Sequence, residues 1–268
     1  MRYFVTGANG FIGQNLLQRY NDVVPFYRQD DLANKLFVSS PDVIINCAAE
    51  IYNEDKMWAS NVELTKQCLD YVKTNPHVKM VQIGSSSEYG DSPVATNECS
   101  FTNPDNYYGL TKLIATNTAV NYARLYNLKV FVARPYSVFG VGEKSHRLFP
   151  KLLSAFKYNK LMDLLNGVHD FCYIDDFLDG IDLVLNSDNY ISGEIVNISS
   201  GEQTTNVDLL NIFKKVFGNK GSVNLVDRFV TYKHWQCDNT HIKTKYGWQP
   251  KFSLLEAVKE FSKTNYYE

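Results

Sequence analysis

No apolar run in this chain approaches the ~18 residues needed to cross a bilayer, which excludes a membrane-spanning helix. A large excess of charge of one sign is missing too. The net charge of −2 argues against broad nucleic-acid binding. Cysteine is sparse and unclustered, with residues 47, 68, 99, 172 and 237 forming no Cys-x-x-Cys pair. An odd, scattered set implies reduced thiols and a cytoplasmic setting, and no metal site is expected. The N-terminus carries neither a basic segment nor an apolar signal-peptide core, so no targeting segment is expected. Internal repeats and low-complexity linkers are absent. What is present, 268 residues with 44% hydrophobic and 21% charged, suffices for a full core in one or two domains.

The chain is organised around its first thirteen residues. Tyr3 to Val5 suits a buried strand, and Phe11 to about Tyr20 has helical spacing. Between them lies Thr6-Gly7-Ala8-Asn9-Gly10-Phe11-Ile12-Gly13. Glycines at this spacing across a strand-to-helix turn gather backbone N–H groups and a helix N-terminus at one point, where a pyrophosphate sits. Gly7 is expected to permit the tight turn, Gly10 the close backbone approach, and Gly13 the packing of helix on sheet.

Val23 to Tyr27 reads as the second strand, and its Pro25 implies a position without a ladder partner. An acidic residue at this strand's end takes the ribose 2′-hydroxyl of NAD, whereas an arginine accommodates the 2′-phosphate of NADP. Here Arg28 follows Tyr27, which favours NADP. The alternative is a solvated Arg28, with Asp30 or Asp31 on the ribose. Residues 29–41 are too few for a helix plus a strand, so a trimmed crossover is expected, with Lys35 to Val38 as a short strand at most. Asp42 to Ala49 reads as a buried strand ending in small residues that let a cofactor approach, with Cys47 packed in the core. A helix is expected from Asn53 to about Thr74, with Asn61 inside it, either exposed as mid-helix asparagines usually are or facing the next strand.

Lys79 to Gly84 is a strand that opens into Ser85-Ser86-Ser87-Glu88-Tyr89-Gly90, where α/β sheets carry their chemistry. Residues 91–106 read as a loop, and a helix from Tyr107 to about Leu125 follows. Tyr108 and Lys112, four apart, share a helical face. An ammonium beside a phenol favours the phenolate, so a lowered Tyr108 pKa is expected. Further on, the pattern gives a strand at 129–134, a helix at 146–159 and a strand into a capped helix over Asp170 to Asn186. A strand at 194–198 and helices at 207–217 and 253–263 complete it.

Taken in order, the glycine turn, Asn46-Cys47-Ala48-Ala49, Ser85 to Gly90 and Tyr108-x-x-x-Lys112 resemble the extended short-chain dehydrogenase/reductase family, the NAD(P)-dependent nucleotide-sugar epimerases, dehydratases and reductases. The resemblance continues through Arg134-Pro135-Tyr136-Ser137-Val138-Phe139-Gly140, Asp170-Phe171-x-Tyr173-Ile174-Asp175-Asp176, Asn197-Ile198-x-x-Gly201 and Gly247-Trp248-x-Pro250. It implies an α/β fold: a Rossmann doubly wound parallel sheet with a smaller C-terminal substrate lobe. The cofactor domain would span 1–134, with parts of 170–200 returning to it, and 135–268 would form most of the lobe. It also implies Ser85, Tyr108 and Lys112 as the catalytic set. Gly7, Asn9, Gly10, Phe11, Ile12, Gly13, Arg28, Ala48, Asn61, Lys112 and Pro135 would hold the cofactor. Ser86, Ser137 and Arg147 would touch the substrate. A homodimer through the helices carrying Asn61 and Tyr108 is a further implication.

Departures from the family pattern narrow the activity. Similar dehydratases carry an acidic residue directly after the Ser/Thr, where this chain has Ser86 and Ser87, with Glu88 one place late. Ser137 stands for an asparagine and His169 for an arginine. Arg147, Lys151, Arg228 and Lys233 are the candidate diphosphate partners. The expected activity is NADPH-dependent reduction of a nucleotide-linked 4-keto-6-deoxy sugar. The alternatives are an NAD-dependent nucleotide-sugar 4-epimerase and, from a different class, a non-catalytic cofactor-binding subunit.

Overall fold

The computed structural model describes residues 1–189, 191–226 and 235–266. The first half alternates strand and helix: β1 (Tyr3–Thr6), α1 (Phe11–Arg19), β2 (Val23–Phe26), α2 (Leu32–Ser39), β3 (Val43–Asn46), α3 (Glu54–Met57), α4 (Leu64–Thr74), β4 (Lys79–Ile83), α5 (Tyr107–Tyr126) and β5 (Val130–Pro135). The second half runs β6 (Ser137–Phe139), α6 (Leu148–Lys157), β7 (Met162–Leu165), β8 (Val168–Tyr173), α7 (Ile174–Leu185), β9 (Glu194–Ile198), β10 (Gln203–Thr205), α8 (Asn206–Phe217), β11 (Val223–Val226), α9 (Thr240–Tyr246) and α10 (Leu254–Ser262).

Six strands form one parallel sheet in the order β2-β1-β3-β4-β5-β9. Its central strands are apolar at nearly every position because both faces are covered. Phe4, Ile44, Met80 and Val132 face the layer containing α2, α4 and α5, while Val5, Ile45, Val81 and Ala133 face the core shared with α1 and α7. Strand order reverses at β1, which pairs with β2 on one side and β3 on the other. Such a switch point opens a crevice at the strands' carboxyl ends. Two small sheets, β10-β8-β6 and β11-β7, lie beyond the main one.

Residues 29–41 correct the sequence reading. They form no strand; Leu32–Ser39 is a helix, α2, whose N-terminus is capped by Asp31 accepting from Asn34 N at 3.2 Å. One cap and one buried anchor, Leu36, suffice for this eight-residue helix. With no extra strand, β2 is the sheet edge, where Pro25 costs no ladder bond. The helix expected from Asn53 is also not uniform. A π-helical stretch, Trp58–Glu63, separates α3 from α4, and Asn61 sits in it. Finally, α7 starts on Tyr173, which makes no side-chain cap. Asp176 is instead turned onto the backbone of Lys251 and Phe252.

Candidate active site

The turn between β1 and α1 is set by contact with β3. Gly7 has φ +65°, and a Cβ there would lie 2.7 Å from Ala48 Cα. A Cβ on Gly13 would lie 2.2 Å from Gly7 O, so only glycine lets α1 approach the strand end. Gly10 N–H donates to Gly7 O at 2.8 Å, closing the turn. Gly13→Ala is expected to cost at least the ~1–3 kcal/mol of an overpacked core and to weaken dinucleotide binding with it. Chemical denaturation and a cofactor titration check this, and an unaltered variant would contradict it.

This turn opens on a cleft of about 1390 Å³ walled by Gly7, Asn9, Gly10, Arg28, Ala48 and Glu50. That is larger than the roughly 300–1,000 Å³ of ordinary small-ligand pockets, as an extended dinucleotide requires. Glycine-only backbone, free N–H groups at the start of α1 and the small Ala48 fit a pyrophosphate and its nucleosides. Phe11 and Ile12 are half-buried in the first turn of α1. Cys47 packs against the main core, as expected, and also reaches the cleft wall. Its Sγ donates to Thr6 O at 2.8 Å, and burial pushes its thiol up to about 12.

Ser85 ends the loop after β4 and begins a one-turn 3₁₀ helix, Ser86–Glu88. Its Oγ accepts from Ser87 N at 3.1 Å, while Glu88 Oε1 accepts from Ser85 N at 2.8 Å. Glu88 is fully buried. It also accepts from Thr116 Oγ1 at 2.9 Å and from Arg134 Nε at 2.8 Å and Nη2 at 2.7 Å. Arg134 in turn donates to Tyr89 Oη at 2.8 Å. The carboxylate is therefore a structural pin for the Ser85 turn. Ser86 is buried in the same turn.

Tyr108 lies in the first turn of α5, capped by Asn106, which accepts from Gly109 N at 2.8 Å. Its phenol interacts with the Ser85 side chain. The expected phenol–ammonium pairing is not what the structure has. Lys112 Nζ donates to Ile83 O at 2.6 Å, at the end of β4. Burial, with Glu88 nearby, raises the Tyr108 pKa against the lowering influence of Ser85 and Arg147. Burial likewise drops Lys112 to about 8, opposed by Glu88 and Cys47. The helical spacing placed both residues near the strand ends, but the lysine stem reaches past its neighbour to the Ile83 carbonyl, which also accepts from Gln82 Nε2 at 3.1 Å. A further correction concerns Asn61, which does not address β4. Its amide clamps the loop after β3, accepting from Glu50 N at 2.8 Å and donating to Glu50 O at 3.1 Å and Thr111 Oγ1 at 2.9 Å.

On the far side of the strand ends, Pro135 closes β5 and Ser137 opens β6. Ser137 Oγ and His169 Nδ1 are 3.1 Å apart, and the His169 ring lies 5.0 Å from that of Phe171. Burial, with Arg147 nearby, lowers His169 to about 4, so this imidazole is neutral and holds no charge for a diphosphate. Arg147 precedes α6 and pairs with Glu143 at 3.3 Å. Lys151 is exposed on α6, and Arg228 and Lys233 lie outside the described residues. At the other end of the cleft, Asp30 accepts from Tyr27 N at 2.8 Å and Lys35 Nζ at 2.5 Å, and Asp31 caps α2. Arg28 pairs instead with Glu50 at 3.4 Å. No group of three His, Cys, Asp or Glu among the described residues can hold a metal ion. No helix among them is long and apolar enough to cross a membrane.

Sequence reading missed two residues here, Glu88 as a pin and Glu50 as a cleft wall. Glu88 had a signal, because Ser85-x-x-Glu88 is a capping-box spacing. Glu50 had none, since it reaches the Arg28 end of the cleft from another strand.

A parallel sheet with a glycine turn at its switch point, Ser85 in the turn after β4, and Tyr108 and Lys112 on α5 beside it, defines a dinucleotide-binding α/β protein. The family model for the NAD dependent epimerase/dehydratase family matches residues 3–199. The chain belongs to that family, within the extended short-chain dehydrogenases/reductases. It is 28% identical over 236 residues to the dTDP-6-deoxy-L-talose 4-dehydrogenase (NAD(P)(+)) of Kitasatospora kifunensis, covering 82% of this chain and 74% of that one. It is 23% identical to the UDP-glucose 4-epimerase of Mycolicibacterium smegmatis over 96% of each chain. Among solved structures, the dTDP-glucose 4,6-dehydratase of Bacillus anthracis in complex with NAD superposes with a TM-score of 0.85 at 25% identity, covering 100% of this chain and 96% of that one. The relatives are NAD(P)-dependent nucleotide-sugar dehydrogenases, epimerases and dehydratases.

Proposed function

We propose that this chain reduces the 4-ketone of a nucleotide-linked 4-keto-6-deoxy sugar with NADPH. The carrying observation is the state of the Ser85 turn. Its one carboxylate, Glu88, is sealed under Arg134 and Thr116, while the Ser85 hydroxyl and the Tyr108 phenol meet at the strand ends. Dehydration of a hexose needs a base for the C5 proton and an acid for the departing C6 hydroxyl. Ketone reduction needs neither.

The bound nicotinamide supplies hydride to the carbonyl carbon. Tyr108 donates its phenolic proton to the carbonyl oxygen, and its raised pKa keeps that proton in place at neutral pH. Ser85 donates a hydrogen bond to the same oxygen and so orients it. Lys112, charged below about 8, would hold the nicotinamide ribose from its place beside Ile83. Gly7, Asn9, Gly10, Phe11, Ile12, Gly13, Ala48 and Pro135 would form the rest of the cofactor wall, with Arg28 at the 2′-phosphate, and buried Asn61 would act from behind it by holding the loop after β3. Ser86, Ser137 and Arg147 meet the nucleotide sugar. Exposed Trp58, Tyr107 and Leu110 support pairing of two chains through the helices that carry Asn61 and Tyr108, in a cytoplasmic homodimer.

A second reading, NAD-dependent 4-epimerisation, draws on the epimerase relative that this chain matches over 96% of its length. Mass spectrometry of products from a panel of nucleotide sugars tests the proposal. The expected result is a gain of two hydrogens on 4-keto-6-deoxy sugar nucleotides and no loss of water from intact nucleotide hexoses. Loss of water from an intact nucleotide hexose given to the wild type would overturn it.

A further inference from the structure

We infer that Glu50 is the residue that sets the balance between NADH and NADPH, by accepting the adenosine ribose hydroxyls when the 2′-phosphate is absent. This rests on the cofactor role proposed above. The acidic group that ordinarily serves a Rossmann ribose stands at the end of the second strand. In this chain the two acids near that strand, which share the cleft wall, each hold one oxygen to their own loop, Asp30 Oδ2 by Tyr27 N and Lys35 and Asp31 Oδ1 by Asn34 N, whereas the carboxylate that pairs with Arg28 is Glu50. Glu50 reaches the same end of the cleft from the loop after β3, in one wall with Tyr27 and Arg28.

Its placement is rigid. Asn61 holds its backbone on both sides, at 2.8 and 3.1 Å. Oε1 accepts from the N–H groups of Ile51 and Tyr52 at 3.2 Å and of Asn53 at 3.3 Å. Oε2 is left to Arg28, at an elongated 3.4 Å, and the Arg28 side chain is 70% exposed. Such a pair opens readily. With NADPH, Arg28 turns to the phosphate and the Glu50 carboxylate repels it. With NADH, Oε2 takes a ribose hydroxyl and Arg28 stays paired. One carboxylate thus favours one cofactor and penalises the other, so the chain accepts both.

The test is fluorescence titration of NADPH and NADH into the wild type, Glu50→Gln and Arg28→Ala. Gln keeps an oxygen for the three N–H groups and removes only the charge, and thermal melting verifies the turn. A charge-assisted hydrogen bond is worth roughly ten- to hundredfold in affinity. Glu50→Gln is expected to weaken NADH at least about tenfold and to leave NADPH unchanged or tighter. Arg28→Ala should do the reverse. Equal losses for both cofactors in Glu50→Gln, or none, would overturn the inference and leave the proposed activity standing. A wild type that binds neither cofactor would overturn both.

Discussion

Tyr108→Phe is expected to lose about 10²–10⁴-fold in turnover while binding NADPH as tightly as the wild type. The substitution removes one oxygen and keeps the ring, so the packing of the first turn of α5 survives. What disappears is the proton donor beside Ser85, and general acid catalysis is worth that factor. Lys112 stays on Ile83 O, at 2.6 Å, and does not depend on the phenol. The pH profile follows from the same geometry. Tyr108 is raised, so its proton is lost only well into the alkaline range, whereas Lys112 is lowered to about 8. The wild-type kcat/KM should therefore fall as pH rises through about 8, when Lys112 loses its charge. The residual rate of Tyr108→Phe should fall over the same interval. Steady-state kinetics with a cofactor titration check this. A Tyr108→Phe enzyme with most of its turnover would exclude the assignment and direct attention to exposed Tyr107.

Glu88→Gln is expected to be the most destabilising single change at the site. Glu88 and Arg134 have side chains 0% and 2% exposed, joined at 2.7 Å. Removing one charge strands the other where water cannot reach it. Breaking a buried pair in this way costs about 3–5 kcal/mol. For a chain of this size that is a fall in melting temperature of roughly 6–20 °C. The Ser85 turn should loosen too, because Glu88 Oε1 holds Ser85 N. Activity should drop more than cofactor affinity. Replacing both partners with apolar residues should recover part of the stability, since the desolvation cost then vanishes as well. Urea denaturation of the single and double variants separates these terms. An unchanged midpoint for Glu88→Gln would refute the role of structural pin.

Much of the sheet was legible because parallel strands buried on both faces announce themselves as apolar runs, as Val43 to Ile45 and Val130 to Ala133 do. The glycine turn was legible because its constraints are steric and local, between Gly7, Gly13 and Ala48. α2 was not. Counting residues 29–41 suggested a strand, whereas an Asp31 cap and one buried leucine made a helix. The same limit applied at the site. Helical spacing put Tyr108 and Lys112 on one face, but whether they touch depends on Ile83 O, 29 residues before Lys112 in the chain. Nor does spacing reveal that Arg28 meets Glu50, because that pair joins two strands' loops across the switch point.

The most direct test of the central claim is stoichiometry. The purified protein, freed of bound cofactor, is given one nucleotide-linked 4-keto-6-deoxy sugar and NADPH. Absorbance of the reduced nicotinamide is followed alongside product. One NADPH should be oxidised for each sugar reduced at C4, with no turnover when NADPH is omitted. Interconversion of 4-epimers of an intact nucleotide sugar, with cofactor retained and none consumed, would contradict it.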